Sequence, residues 1–173
     1  MYSVLMPARL TWLNALERAA FASALDGVFE HSPWVAARAW EQRPFQDLHQ
    51  LHEALVRAVQ QASDEEKMEL IRAHPELAGT AARAGTLTKE SAAEQTGIDA
   101  LNPDEAGRFD IYNARYRERF GFPFVICVRD HNKTEILAEL ERRLRHDLPT
   151  ERHKALDEIG RIAWHRLRER VSG

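Results

Sequence analysis

The stretch Arg72-Ala73-His74-Pro75-Glu76-Leu77-Ala78-Gly79, followed by Ser91-Ala92-Ala93-Glu94-Gln95, gathers groups that could move protons. An imidazole and a carboxylate are the usual partners in general acid–base catalysis, because burial and neighbours can tune either toward neutral pH. On a helix, Ser91 and Glu94 are three residues apart and Ser91 and Gln95 four, so a hydroxyl, a carboxylate and an amide share one face. Pro75 pushes the residue before it out of the helical region, which places His74 at a helix end. A second reading uses the same residues. A cationic histidine at a helix C-terminus complements the macrodipole, and Ser91 and Glu94 can be ordinary exposed first-turn residues. Spacing alone favours the second.

Other chemistries lack their parts. The chain has no glycine-rich phosphate loop, no G-x-S-x-G elbow and no H-E-x-x-H zinc pair. His49 and His52 could share a helix face as metal ligands, but no cysteine or clear third ligand accompanies them, so they read as surface histidines. Cys127 is the only cysteine, which excludes an internal disulfide and a cysteine zinc cluster.

The elements that must position these groups are helical. Trp12, Leu13, Leu16, Ala20 and Leu25 predict a first amphipathic helix ending near Gly27. Ser32-Pro33-Trp34 reads as a cap followed by a first-turn proline, opening a helix to about Arg43. Asp47 caps a helix with Leu48, Leu51, Leu55 and Val59 on one face. Ser63 and Glu66 have capping-box spacing, and that helix stops before Pro75. Thr88 starts a short helix through Gln95, closed by Gly97. Asn102-Pro103 opens one to about Phe120, Asn132 caps one to about His146, and Pro149-Thr150 begins the last, with Leu156, Ile159, Ile162, Ala163 and Leu167 as its core stripe. Phe122 to Val128 is short, β-branched and aromatic, and reads as a buried extended segment rather than a paired strand. The expected class is all-α: one domain, residues 1–173, with seven to nine helices.

Composition agrees with a globular chain. Its 173 residues are 44% hydrophobic and 29% charged, with only 8 Gly and 7 Pro to punctuate turns. The net charge of −3 and the mixing of signs give no basic face for nucleic acid. The arginines from Arg142 to Arg170 are interspersed with acids and read as a solvated helix face. The longest apolar run, Phe122 to Val128, is far short of a membrane span, and the N-terminus lacks the pattern of a signal peptide, so a cytoplasmic protein is expected.

Four blocks, taken together, have a further implication. His31-Ser32-Pro33-Trp34, His74-Pro75-Glu76-Leu77-Ala78-Gly79, Ser91-Ala92-Ala93-Glu94-Gln95 and Phe120-Gly121-Phe122-Pro123-Phe124-Val125-Ile126-Cys127-Val128 occur in an order and spacing that resembles the OHCU decarboxylases. Each block is weak alone; together they are specific and span nearly the whole chain, and they reverse the preference for the capping reading. The resemblance implies decarboxylation of 2-oxo-4-hydroxy-4-carboxy-5-ureidoimidazoline (OHCU), a small ureide, to (S)-allantoin in urate breakdown. It further implies an all-helical homodimer with no metal or organic cofactor. By the same resemblance His74 is the catalytic histidine and Glu94 its carboxylate partner. Pro75, Ser91, Ala92, Ala93, Glu94, Gln95, Ile126, Cys127, Val128, Arg129 and Asp130 would surround the substrate. An arginine of the last helix would meet the substrate's charge: Arg166 matches best, with Arg161 and Arg168 close by. The family's usual residue after His-Pro is Asp; Glu76 stands there, and its side chain is expected to lie outside direct contact. Which of His74 and Glu94 delivers the final proton stays open. The rival readings are a helical protein-interaction module and an enzyme of the same fold acting on a related ureide.

Overall fold

A computed structural model describes residues 8–78, 88–95, 98 and 101–173. Its helices begin where side chains can replace the backbone partners that a helix start lacks. Asp47 accepts from the Gln50 amide and opens α4, Leu48–Gln60, after α1, Leu10–Ala15, α2, Arg18–Ala24, and α3, Pro33–Ala39. Ser63 and Glu66 form a reciprocal capping box before α5, Asp64–Ala73. Thr88 caps α6, Lys89–Gln95, by accepting from the Ser91 amide at 3.2 Å. Capping boxes at Asn102 and Asn132 open α7, Pro103–Phe120, and α8, Lys133–Arg143. Asp147 accepts from the Thr150 amide where α9, Leu148–Arg170, starts. The expected stop for α6 at Gly97 lies outside the described residues.

Several expectations need correction. The first predicted helix is two: the chain extends at Leu16, whose carbonyl accepts from Trp40 Nε1 at 2.9 Å and Arg43 Nη1 at 2.8 Å. Two donors on one carbonyl favour the break. Ser32 precedes Pro33 as expected but does not cap; its hydroxyl donates to the Glu30 carbonyl instead. Helix α3 gives way to a 3-10 turn, Trp40–Gln42, before reaching Arg43. Helix α8 ends at Arg143, three residues early. A two-residue parallel pairing of β1, Ala8–Arg9, with β2, Val171–Ser172, had no sequence signal. His52 is not simply a surface residue: its Nε2 lies 2.8 Å from the Gly160 carbonyl, and both His49 and His52 rest against Trp164. The Arg142–Arg170 run is not uniformly solvated either, since Arg143 and Arg166 are buried.

The all-α class holds. The residues group into two compact units, Met1–Lys67 with Gly160–Gly173, and Met68–Ile159. In the first, Leu13, Phe21, Val35, Leu51, Leu55 and Leu167 are fully buried. The second, which carries the His74 region, buries Leu70, Ile71, Phe109, Tyr116, Ile136 and Leu140. Helix α7 ends at Gly121, whose φ of 75° lies in the left-handed region that glycine enters without a Cβ penalty. From there residues 123–127 run without helix or ladder pairing, as read from sequence, but Val128, expected in the same segment, begins a 3-10 turn, Val128–Asp130. Phe120, Phe122 and Phe124 surround the Tyr116 ring at centroid distances of 4.6–5.8 Å. That aromatic packing, not a β-ladder, fixes the segment.

Candidate active site

His74 stands one residue past the end of α5, as Pro75 requires, and is 6% exposed. Its Nδ1 is 2.9 Å from the Leu70 carbonyl. A carbonyl only accepts, so Nδ1 carries the hydrogen and Nε2 holds the lone pair of the neutral ring. One nitrogen caps the helix it follows, and the other, which is buried, is the basic atom.

The turn after His74 is held at a single peptide unit. Gln95 Oε1 accepts from the Ala78 amide at 3.0 Å, while Asn113 Nδ2 donates to the Leu77 carbonyl at 2.8 Å. These are the two polar ends of the Leu77–Ala78 peptide, and a trans peptide points them opposite ways. Ala78, at φ 51°, occupies a left-handed conformation that its Cβ disfavours, so the grip has a backbone strain to hold. Glu76, by contrast, is paired with Arg117 at 3.0 Å.

Gln95 ties this turn to α6, which places Ser91 and Gln95 in buried positions, leaves Glu94 half-buried, and exposes Ala92 and Ala93. Helix α6 in turn packs beside the 3-10 turn Val128–Asp130. Three of the expected substrate segments are thus neighbours: residues 74–78, 91–95 and 128–130. In the third, Ile126, Cys127 and Val128 are buried, whereas Arg129 and Asp130 are exposed.

Buried ions support that third segment. Glu158 Oε2 accepts from the Cys127 amide at 2.9 Å, and Lys154 balances its other oxygen at 2.8 Å. Arg143 Nη1 donates to the Val125 carbonyl at 2.8 Å, with its guanidinium 4.4 Å from the centre of the Phe124 ring. Arg143 Nε and the Tyr116 hydroxyl both donate to Glu151, and His146 Nδ1 lies 2.9 Å from that carboxylate's second oxygen. Burial pushes the Tyr116 hydroxyl above its ordinary range and the Cys127 thiol up to about 12. Cys127 is therefore a neutral thiol at physiological pH and no nucleophile.

Of the three arginines considered in the last helix, Arg161 and Arg168 are exposed and Arg166 is 4% exposed. Arg166 Nη1 donates to Glu30 Oε2 and to the Gly27 carbonyl, both at 2.9 Å. It belongs to the first unit, and its nearest charge is thus a buried carboxylate of that unit.

Sequence reading missed Asn113, Arg143, Glu151 and Glu158. A signal existed for three of them. Asn113 falls in step with Phe109, Tyr116 and Phe120 on α7, and Glu151 and Glu158 with Ala155, Ile159 and Ile162 on α9. A polar residue on an apolar stripe marks a buried, partnered group.

Comparisons with known proteins agree on one family. Residues 14–168 match the family model described as OHCU decarboxylase. A 2-oxo-4-hydroxy-4-carboxy-5-ureidoimidazoline decarboxylase of Haloferax volcanii is 44% identical over 94% of this chain and 96% of its own length. A protein of the same name from Amia calva is 39% identical, over 91% of each chain. Among solved structures, an (S)-allantoin synthase superposes with a TM-score of 0.78 at 30% identity, over 95% of this chain; this chain spans 54% of that one.

Proposed function

The chain belongs to the OHCU decarboxylase family, and we propose that it converts OHCU to (S)-allantoin with His74 as the proton-transferring residue. The observation that carries the assignment is the Nδ1 contact to Leu70, which leaves Nε2 as the basic atom of a ring buried beside the Gln95-held turn.

The substrate sets the task. One ring carbon carries both the hydroxyl and the carboxylate, beside the C=N bond of the imidazoline. When CO2 leaves, the electron pair of the broken C–C bond passes into that C=N, and its nitrogen takes a proton. The resulting enol gives up its hydroxyl proton and becomes the ring carbonyl, while the neighbouring carbon takes a proton on one face. One proton is consumed in total and no external electron acceptor is required. His74 Nε2 suits the hydroxyl proton, because a neutral imidazole can accept there and return it. Glu94 is the carboxylate partner, and either it or His74 supplies the proton that sets the stereocentre. Gln95 has committed its oxygen to Ala78, so its amide nitrogen is what it offers to a ureido carbonyl. Leu77, Phe124 and Ile126 give the apolar surroundings in which a carboxylate loses hydration.

The proposal extends to a single functional domain working as a homodimer in the cytoplasm, an assembly that sedimentation velocity measures directly. Activity is tested by generating OHCU in place from urate with urate oxidase and hydroxyisourate hydrolase, then following circular dichroism. Rapid growth of an (S)-allantoin signal, lost in His74→Ala, is expected. A slow signal without net ellipticity, the same with and without the protein, would overturn the reading.

A further inference from the structure

Asn113 has one half of its carboxamide accounted for. Its Nδ2 donates to the Leu77 carbonyl, which fixes the amide's orientation because a carbonyl cannot donate. The other half, Oδ1, is buried and accepts no hydrogen bond from the described residues. Asn113 is 3% exposed and stands on the same face of α7 as Phe109 and Tyr116, both fully buried. A buried acceptor without a donor is uncommon in folded proteins and calls for a partner, an ordered water or a bound group.

Its position says what. Asn113 and Gln95 grip the two ends of one peptide unit, the last of the turn that leaves His74. Each carboxamide has used half of its polar capacity on that peptide. What remains is complementary: an acceptor on Asn113 and a donor on Gln95. A ureido group is complementary in the opposite sense, offering N–H donors and a carbonyl acceptor. We infer that Asn113 is a substrate-binding residue whose Oδ1 accepts a ureido N–H of the bound ureide, at the end of the site where Gln95 meets the ureido carbonyl. The inference rests on the OHCU decarboxylase reading.

The test is a comparison of two ligands. (S)-Allantoin carries the ureido arm, and hydantoin is the same ring without it. Both are titrated calorimetrically into the full-length protein and into Asn113→Leu, which keeps the side chain's size and removes its polarity. The preference for (S)-allantoin over hydantoin is expected to fall roughly tenfold in Asn113→Leu, the scale of one hydrogen bond whose loss strands a buried group. Should Asn113→Leu fail to fold, Asn113→Ala is read by the same ratio. Equal weakening of both ligands, or no change in either, would overturn the assignment and leave Asn113 as a support for Leu77 alone. Failure of the unsubstituted protein to form (S)-allantoin from OHCU would remove the underlying reading and this one with it. Normal turnover with an unchanged ratio removes only this one.

Discussion

The role proposed for His74 needs its two nitrogens to have different jobs, and its own helix supplies that division. The last turn of α5 supplies the Leu70 carbonyl that accepts the Nδ1 hydrogen, so that Nε2 is the basic nitrogen of the neutral ring. His74→Ala and Glu94→Gln are each expected to lower turnover by about 10²–10⁴-fold while the far-ultraviolet spectrum of the helices stays unchanged. Near-normal turnover at saturating substrate in either variant would withdraw the role given to that residue. At this scale much was legible. Pro75 after His74 placed the break, and Ser91 and Gln95, four apart, did come to lie buried on one side of α6. What could not be read was the partner of each group. Gln95 is seventeen residues from Ala78, and Asn113 thirty-six from Leu77, separations that no local periodicity encodes.

The elements were legible where their ends are written in side chains, and less so where tertiary contacts override them. Asp47, Ser63, Thr88, Asn102 and Asn132 all cap as their types suggest. Replacing Asn102 by Ala should lower stability by about 1 kcal/mol, visible as a small drop in the urea midpoint. The split between α1 and α2 was invisible because it serves Trp40 and Arg43, more than twenty residues away. The extended segment carries the sharper prediction. Arg143 and Glu151, both fully buried, hold it through Val125 and Tyr116. Arg143→Met takes the buried guanidinium from the Glu151 carboxylate, which keeps Tyr116 and His146 against it, and should destabilise the protein by about 3 kcal/mol. Adding Glu151→Leu should recover much of that, because it is the unpaired charge rather than the lost attraction that dominates the penalty. A double variant no more stable than Arg143→Met in urea unfolding would contradict this account.

For the molecule as a whole, the titrating groups set the pH range of stability. The Arg38 guanidinium holds the Glu66 carboxyl down to about 2 from an ordinary 4.5. The Asn102 amide and Lys133 lower Glu105, Arg142 lowers Glu139, and Thr150 lowers Asp147. Carboxylates depressed in the folded state contribute fully above their unfolded values, and their contribution is lost as pH falls through the folded ones. At the alkaline end the sign reverses. Burial raises Cys127 from an ordinary 9.0 to about 12 and raises Tyr116 as well, so the folded state resists ionisation that the unfolded chain undergoes. Stability should therefore form a plateau between about pH 5 and 9, falling on both sides, as chemical unfolding across pH would measure. A midpoint still rising above pH 10 would contradict it.

The same thiol has a consequence beyond pH. Cys127 is the only cysteine, lies 1% exposed within a proposed substrate-binding segment, and stays protonated at neutral pH. Alkylating and oxidising agents act on accessible thiolates, and here the folded protein presents none. Its activity should be indifferent to the redox poise of its surroundings and should survive iodoacetamide, which modifies Cys127 only once urea has opened the fold.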